Sequence, residues 1–135
     1  MTKGPIPAQL EEMLSRPNPA VVATVRPDGQ PVTVATWYAY ENGRVLLSLD
    51  AARKRLEHLR NDPRVSLTVL DGDDWYSHVS LQGKVTELAE DTDLAGADRV
   101  SMLYTGHPYA DRERPRVIAW VQVESWHAWG RLAQS

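Results

Sequence analysis

Apolar positions in this chain recur mostly with a period of two, the spacing of half-buried strands, and change to a helical spacing in three short stretches. Pro7 to Leu14 has helical spacing, with Leu10, Met13 and Leu14 on one face, and Pro17 and Pro19 end it. Ala20 to Val25 reads as a first strand. Arg26-Pro27-Asp28-Gly29 is a turn, because Asp-Gly takes up the backbone angles that a hairpin needs. Pro31 to Tyr40, rich in β-branched and aromatic residues, predicts a second strand, and Glu41-Asn42-Gly43 a second hairpin turn. Arg44 to Leu49 is the third strand, in which Ser48 interrupts an apolar run.

Asp50 has the side chain of a helix N-cap, so the spacing predicts a short helix after it that closes near Asp62-Pro63. Arg64 to Leu70 alternates Val65, Leu67 and Val69 on one face of a fourth strand. An acidic turn, Asp71-Gly72-Asp73-Asp74, leads into a fifth strand from Trp75 to Leu88, bent at Gly83. Glu90 to Tyr104 predicts a helix with Leu94, Ala97 and Val100 facing inward. Thr105 to Pro115 is a polar loop, and Val117 to Trp129 a last strand alternating around Ile118, Trp120 and Gln122. No repeat or linker interrupts the pattern, which predicts one domain over residues 1–135. Mainly β structure, with antiparallel strands, tight turns and short helices, suits a barrel or a sandwich, and periodicity does not separate the two.

Composition narrows the function. Hydrophobic residues make up 42% and charged residues 24%, as in a globular domain. A net charge of −3 argues against a general nucleic-acid binder, whose affinity rests on many phosphate contacts. The absence of cysteine excludes disulfides, thiolate metal sites and a cysteine nucleophile. No apolar run is long enough to span a membrane and no signal-peptide core is present, so a cytoplasmic location is expected. Five Trp and no Phe put the aromatic surface into side chains with a polar edge.

Candidate chemistry centres on Arg53, Lys54 and Arg55, three cations at the start of the predicted helix. The macrodipole favours anions there, so this arrangement suits a bound phosphate; a solvated basic turn has the same composition. Ser48, the one polar residue in the run from Val45 to Leu49, reads on its own as a satisfied core hydroxyl. Tyr76 and His78 alternate on one face of the fifth strand, with Trp75 and Ser77 on the other. Histidine is the side-chain type that exchanges protons near neutrality, so His78 is a candidate proton donor or a structural residue. His58, His107 and His127 lack metal-ligand spacing with carboxylates, and no Gly-rich nucleotide motif is present.

A small-residue turn, basic residues, a short helix and then Asn61-Asp62-Pro63-Arg64-Val65 resemble the phosphate-binding segment of the split β-barrel flavin and deazaflavin reductases, relatives of pyridoxamine 5′-phosphate oxidase. The resemblance runs from about Ala20 to Gly130 and is strongest to the branch that uses coenzyme F420. It implies a six-stranded antiparallel split barrel, and a homodimer with cofactor sites in grooves at the subunit interface. It implies that Val34, Ala35, Thr36 and Trp37 line the cofactor ring. The phosphate would fall to Ser48, Arg53, Lys54 and Arg55, with Arg55 where many relatives have Lys. Tyr76 and His78 would approach the cofactor of the partner. Arg26, Arg60 and Arg64 are candidates for the long anionic tail of the deazaflavin. The implied activity is hydride transfer from reduced coenzyme F420 to an unsaturated small organic substrate. The alternatives are an FMN-dependent oxidase or reductase, and a non-catalytic flavin, deazaflavin or haem binding protein.

Overall fold

The computed structural model describes residues 1–133. Its strands are β1 (Thr2–Lys3), β2 (Ala20–Val25), β3 (Pro31–Thr36), β4 (Ala39–Glu41), β5 (Arg44–Asp50), β6 (Arg64–Asp71), β7 (Asp74–Glu90) and β8 (Arg116–Ala128). Its helices are α1 (Ala8–Leu14), α2 (Lys54–Asn61) and α3 (Ala95–Thr105). The strands form one antiparallel sheet in the order β3-β2-β6-β7-β8-β5-β4, with β1 added against β8.

The count of eight strands differs from the expected six for two reasons. One is the two-residue β1. The other is that the segment expected as one strand from Pro31 to Tyr40 is broken into β3 and β4. These two are the first and last strands of the sheet path, and Trp37-Tyr38 carries the chain from one edge to the other. The sheet is therefore a split barrel, curled but, among the described residues, with no hydrogen-bonded seam between its edges. Tyr38 explains the break. Its side chain is 1% exposed, and its hydroxyl donates to the Leu14 carbonyl at 2.7 Å. A buried phenol needs a partner, and the end of α1 supplies one.

The core is the inner face of the curled sheet. Val22, Val45, Leu49, Val69, Val79 and Leu81 meet there, and α1 adds Leu10, Met13 and Leu14 as its single apolar face predicts. The expected bend at Gly83 is present as a register shift between β7 and β8.

Both later helices begin after the expected points. Asp50 ends β5 instead of capping α2; its carboxylate accepts from the Ala52 N–H at 2.9 Å, and Arg53 is the residue at the N-cap. β7 runs on to Glu90, paired with Val117, so α3 starts only at Ala95. The Asp91 carboxylate accepts from the Gly96 and Ala97 N–H groups at 3.1 and 2.9 Å, which satisfies the first turn of α3. Among the described residues no helix is long and apolar enough to cross a membrane.

Candidate functional site

A groove of about 680 Å³ opens beside the seam between β3 and β4. Ala35, Thr36 and Trp37 line it from the end of β3, Ser48 from β5, and Arg53 and Arg55 from the start of α2. The α1–β2 connection adds Pro17 and Pro19, α3 adds Ala97, Val100 and Tyr104, and Tyr109 and Arg116 come from the following loop and the start of β8.

One end of the groove is cationic. Arg53, Arg55 and Arg116 gather there with Ser48, and no Asp or Glu is among the described lining residues. Arg55 is half-buried, and its Nη1 is buried with no hydrogen-bond partner. Its pKa is lowered, first by burial and then by the neighbouring Arg53 and Arg116 charges. A buried cation without a counter-charge is unfavourable, and no counter-charge lines this end among the described residues, so its chemistry suits an anion. Ser48 Oγ accepts from Arg116 Nε at 3.0 Å, which leaves the hydroxyl hydrogen free to donate.

The other end is aromatic. Trp37 stacks on Tyr104 with ring centroids 5.1 Å apart and planes 9° from parallel. The Tyr104 hydroxyl donates to the Asn18 carbonyl at 2.6 Å, and Tyr38 meets Tyr104 edge-on. The pair is thereby tied into the core, and the Trp37 ring remains 42% exposed at the groove. Burial pushes the Tyr104 phenol up to about 12. Burial also raises the Tyr38 phenol, and it raises Tyr40 together with the adjacent Glu11 carboxylate. Phenols raised in the folded state stabilise it fully below their ordinary value of 10.0, and that stabilisation is lost as pH rises through the folded values. An alkaline absorbance titration should therefore show part of the tyrosine signal delayed well beyond the ordinary midpoint of 10.0 and appearing together with unfolding. Titration of all five tyrosines about a midpoint of 10.0 with the fold intact would contradict these burials.

The structure brings together Ala35, Thr36, Trp37, Ser48, Arg53 and Arg55 of the residues expected from sequence. Val34 and Lys54 are exposed and lie outside the groove lining. Arg26 is paired with Asp28 at 2.8 Å and Arg64 with Asp62 at 2.6 Å, which holds the Asp62 carboxyl down to about 2. Arg60 lines a second cavity together with Arg112, Arg114 and Arg116.

Tyr76 and His78 do not line the groove of their own chain. They belong to an exposed aromatic cluster in which His78 stacks on Trp129 at 5.6 Å and Tyr76 meets Trp75 edge-on at 6.2 Å. Of the two residues expected on the opposite face, Ser77 is buried and Trp75 is 72% exposed. Tyr104, Tyr109 and Arg116 were not legible as site residues. Arg116 reaches Ser48 only because β8 pairs with β5, across 68 residues of sequence.

The family model for pyridoxamine 5′-phosphate oxidase matches residues 6–130. Comparison with curated proteins gives no match. Among solved structures, the chain is similar to an F420 reductase, with 29% identity, a TM-score of 0.81, and coverage of 90% of this chain and 98% of that one. It is also similar to a conserved hypothetical protein from Mycobacterium tuberculosis, with 28% identity, a TM-score of 0.76, and coverage of 98% and 90%. General stress protein 26 from Bacillus anthracis shares the fold at 18% identity, with a TM-score of 0.66 over 90% of this chain and 94% of that one. The family match over most of the length and the split barrel agree: the chain belongs to the pyridoxamine 5′-phosphate oxidase-like family of flavin-related oxidoreductases.

Proposed function

We propose that the protein is a coenzyme F420-dependent reductase that delivers a hydride to an unsaturated small organic substrate. The observation that carries this reading is the two-ended groove, with three arginines and a serine at one end and a stacked Trp37–Tyr104 pair at the other. A ligand with a phosphate on one side and a flat ring on the other matches both ends. The likeness to an F420 reductase at 29% identity supports the choice of deazaflavin. When bound, the cofactor supplies the hydride. The chain supplies position and exclusion of water. Arg53, Arg55 and the Ser48 hydroxyl hold the phosphate. Among the described residues β3 pairs only with β2, so its outer edge offers backbone N–H and C=O groups to the rim of the ring. Trp37, Tyr104, Pro17 and Pro19 wall the groove against solvent.

An FMN-dependent reductase is the second reading, and one observation favours it. Two of the three cations expected for the longer deazaflavin tail, Arg26 and Arg64, are already paired with Asp28 and Asp62. Titrating the protein with coenzyme F420 and with FMN separates the two, and oxidation of reduced F420 by a conjugated acceptor then tests turnover. Tighter binding of FMN, with no F420 turnover, would replace the first reading by the second.

We also propose that the active form is a homodimer. Trp75, Tyr76 and Trp129 are 72%, 58% and 42% exposed in one cluster, and isolated soluble chains seldom leave such a patch uncovered. Its Tyr76 and His78 would then serve the groove of the second copy. Sedimentation should show a dimer at micromolar concentration, and a monomer there would remove the shared-site arrangement.

A further inference from the structure

The geometry points to Arg116 as a positioning residue that aims the Ser48 hydroxyl at the cofactor phosphate, with Tyr109 as its buttress. This rests on the reading of the groove's cationic end as a phosphate anchor. Arg116 differs from Arg55 in how its nitrogens are used. Arg55 has a buried Nη1 with no partner. Arg116 donates from Nε to Ser48 Oγ at 3.0 Å, from Nη2 to the Ser48 carbonyl at 3.1 Å and from Nη1 to the Tyr109 hydroxyl at 3.0 Å. Each nitrogen of the guanidinium thus donates once inside the chain, which fixes the plane of the group and leaves one hydrogen on each of Nη1 and Nη2.

The effect on Ser48 follows from hydroxyl geometry. An oxygen that accepts from one side turns its own hydrogen away from that donor. The guanidinium grips both Ser48 Oγ and the Ser48 carbonyl, so the hydroxyl hydrogen points away from Arg116. Its hydrogen is left for an acceptor in the groove. A lysine in place of Arg116 would keep the charge but lose the planar fork that makes two contacts to one residue.

Tyr109 fixes the fork. Its ring lies 4.4 Å from the guanidinium, in addition to the hydroxyl contact. Tyr109 is itself held from α3, where the Asp98 carboxylate accepts from the Tyr109 N–H at 2.9 Å and also pairs with Arg112. Arg112 donates to the Tyr109 carbonyl at 3.1 Å. The loop before β8 is in this way part of the anchor, although Tyr109 need not touch the phosphate.

The test is a double-mutant cycle read as cofactor affinity. The probe is coenzyme F420 or FMN, whichever binds the wild type more tightly, together with its phosphate-free counterpart. Ser48→Ala and Arg116→Lys should each weaken the phosphorylated probe by roughly ten-fold, as expected for a hydrogen bond to a charged group. The double variant should bind no worse than either single one, and Tyr109→Phe should lose only several-fold, on the order of half that effect in log units. The phosphate-free probe should bind all variants alike. Losses that multiply in the double variant would show that Arg116 grips the phosphate directly and overturn the positioning role. Full affinity in Arg116→Lys would overturn it too, since charge alone would then suffice. A wild type that binds both probes equally would remove the anchor itself, and the role of Arg116 with it. Arg116→Lys keeps the charge and most of the volume, and a thermal melt matched to wild type separates these outcomes from misfolding.

Discussion

Replacing Arg55 with alanine should weaken binding of the phosphorylated cofactor by roughly ten-fold to over a hundred-fold while leaving fold stability nearly unchanged. A hydrogen bond to a charged group contributes about 1.5–3 kcal/mol, and ~1.4 kcal/mol is a factor of ten in affinity. Arg55 stands at the upper end of that range because its Nη1 is buried and unpartnered and its charge faces Arg53 and Arg116. Without ligand, those neighbours make its charge unfavourable, so its removal relieves repulsion in the free protein. The same charge becomes favourable when an anion enters. Affinity and stability should therefore separate, and equilibrium titration beside a thermal melt reads both. Arg64→Ala is the control, since that guanidinium is bound to Asp62 outside the groove lining. Equal weakening by Arg55→Ala and Arg64→Ala would show that the groove's cationic end does not recognise the ligand.

The largest effect on the fold itself should come from Gly83→Ala. A Cβ at this position would lie 2.0 Å from the Gln122 carbonyl oxygen and 2.9 Å from its carbon. Both are backbone atoms of β8, the strand that β7 must pair with through the register shift at this point. A flexible side chain could give way; a paired backbone cannot. Overpacking typically costs about 1–3 kcal/mol, and a backbone clash belongs at or above the top of that range. Domains of this kind are stable by only about 5–15 kcal/mol, so the variant should unfold at clearly lower denaturant concentration or fail to accumulate. Gly72→Ala gives the contrast, because the nearest atom to its added Cβ is 3.8 Å away. A Gly83→Ala protein with the wild-type denaturation midpoint would contradict the strand register described for β7 and β8.

The barrel was legible wherever local pattern decides structure. The alternation of Val65, Leu67 and Val69 marks β6, and Asp28-Gly29 and Asn42-Gly43 mark turns that are present as expected. The cationic end of the groove was legible for the same reason: Ser48, Arg53 and Arg55 lie within one strand-turn-helix segment. What stayed hidden depends on contacts distant in sequence. Nothing near Tyr38 announces that its hydroxyl seeks the Leu14 carbonyl, so the break between β3 and β4 cannot be read from Pro31 to Tyr40. Asp50 has the side chain of a cap, but the pairing of β5 with β8 continues through it, opposite Arg116, and moves the helix start to Lys54. Tyr104, Tyr109 and Arg116 enter the groove through the packing of α3 and the register of β8, neither of which has a local signature.

We propose that this groove recognises a flat ring through one end and a phosphate through the other. The measurement that bears on it most directly is the affinity of the unmodified protein for a phosphorylated cofactor and for the same cofactor without its phosphate, at one ionic strength. Coenzyme F420 or FMN should bind at least ten-fold more tightly than its phosphate-free form, on the scale of one charge-assisted hydrogen bond, and the difference should narrow as salt is raised. Equal affinity for the two forms would contradict the account, because three arginines without a counter-charge would then be waiting for something other than a cofactor phosphate.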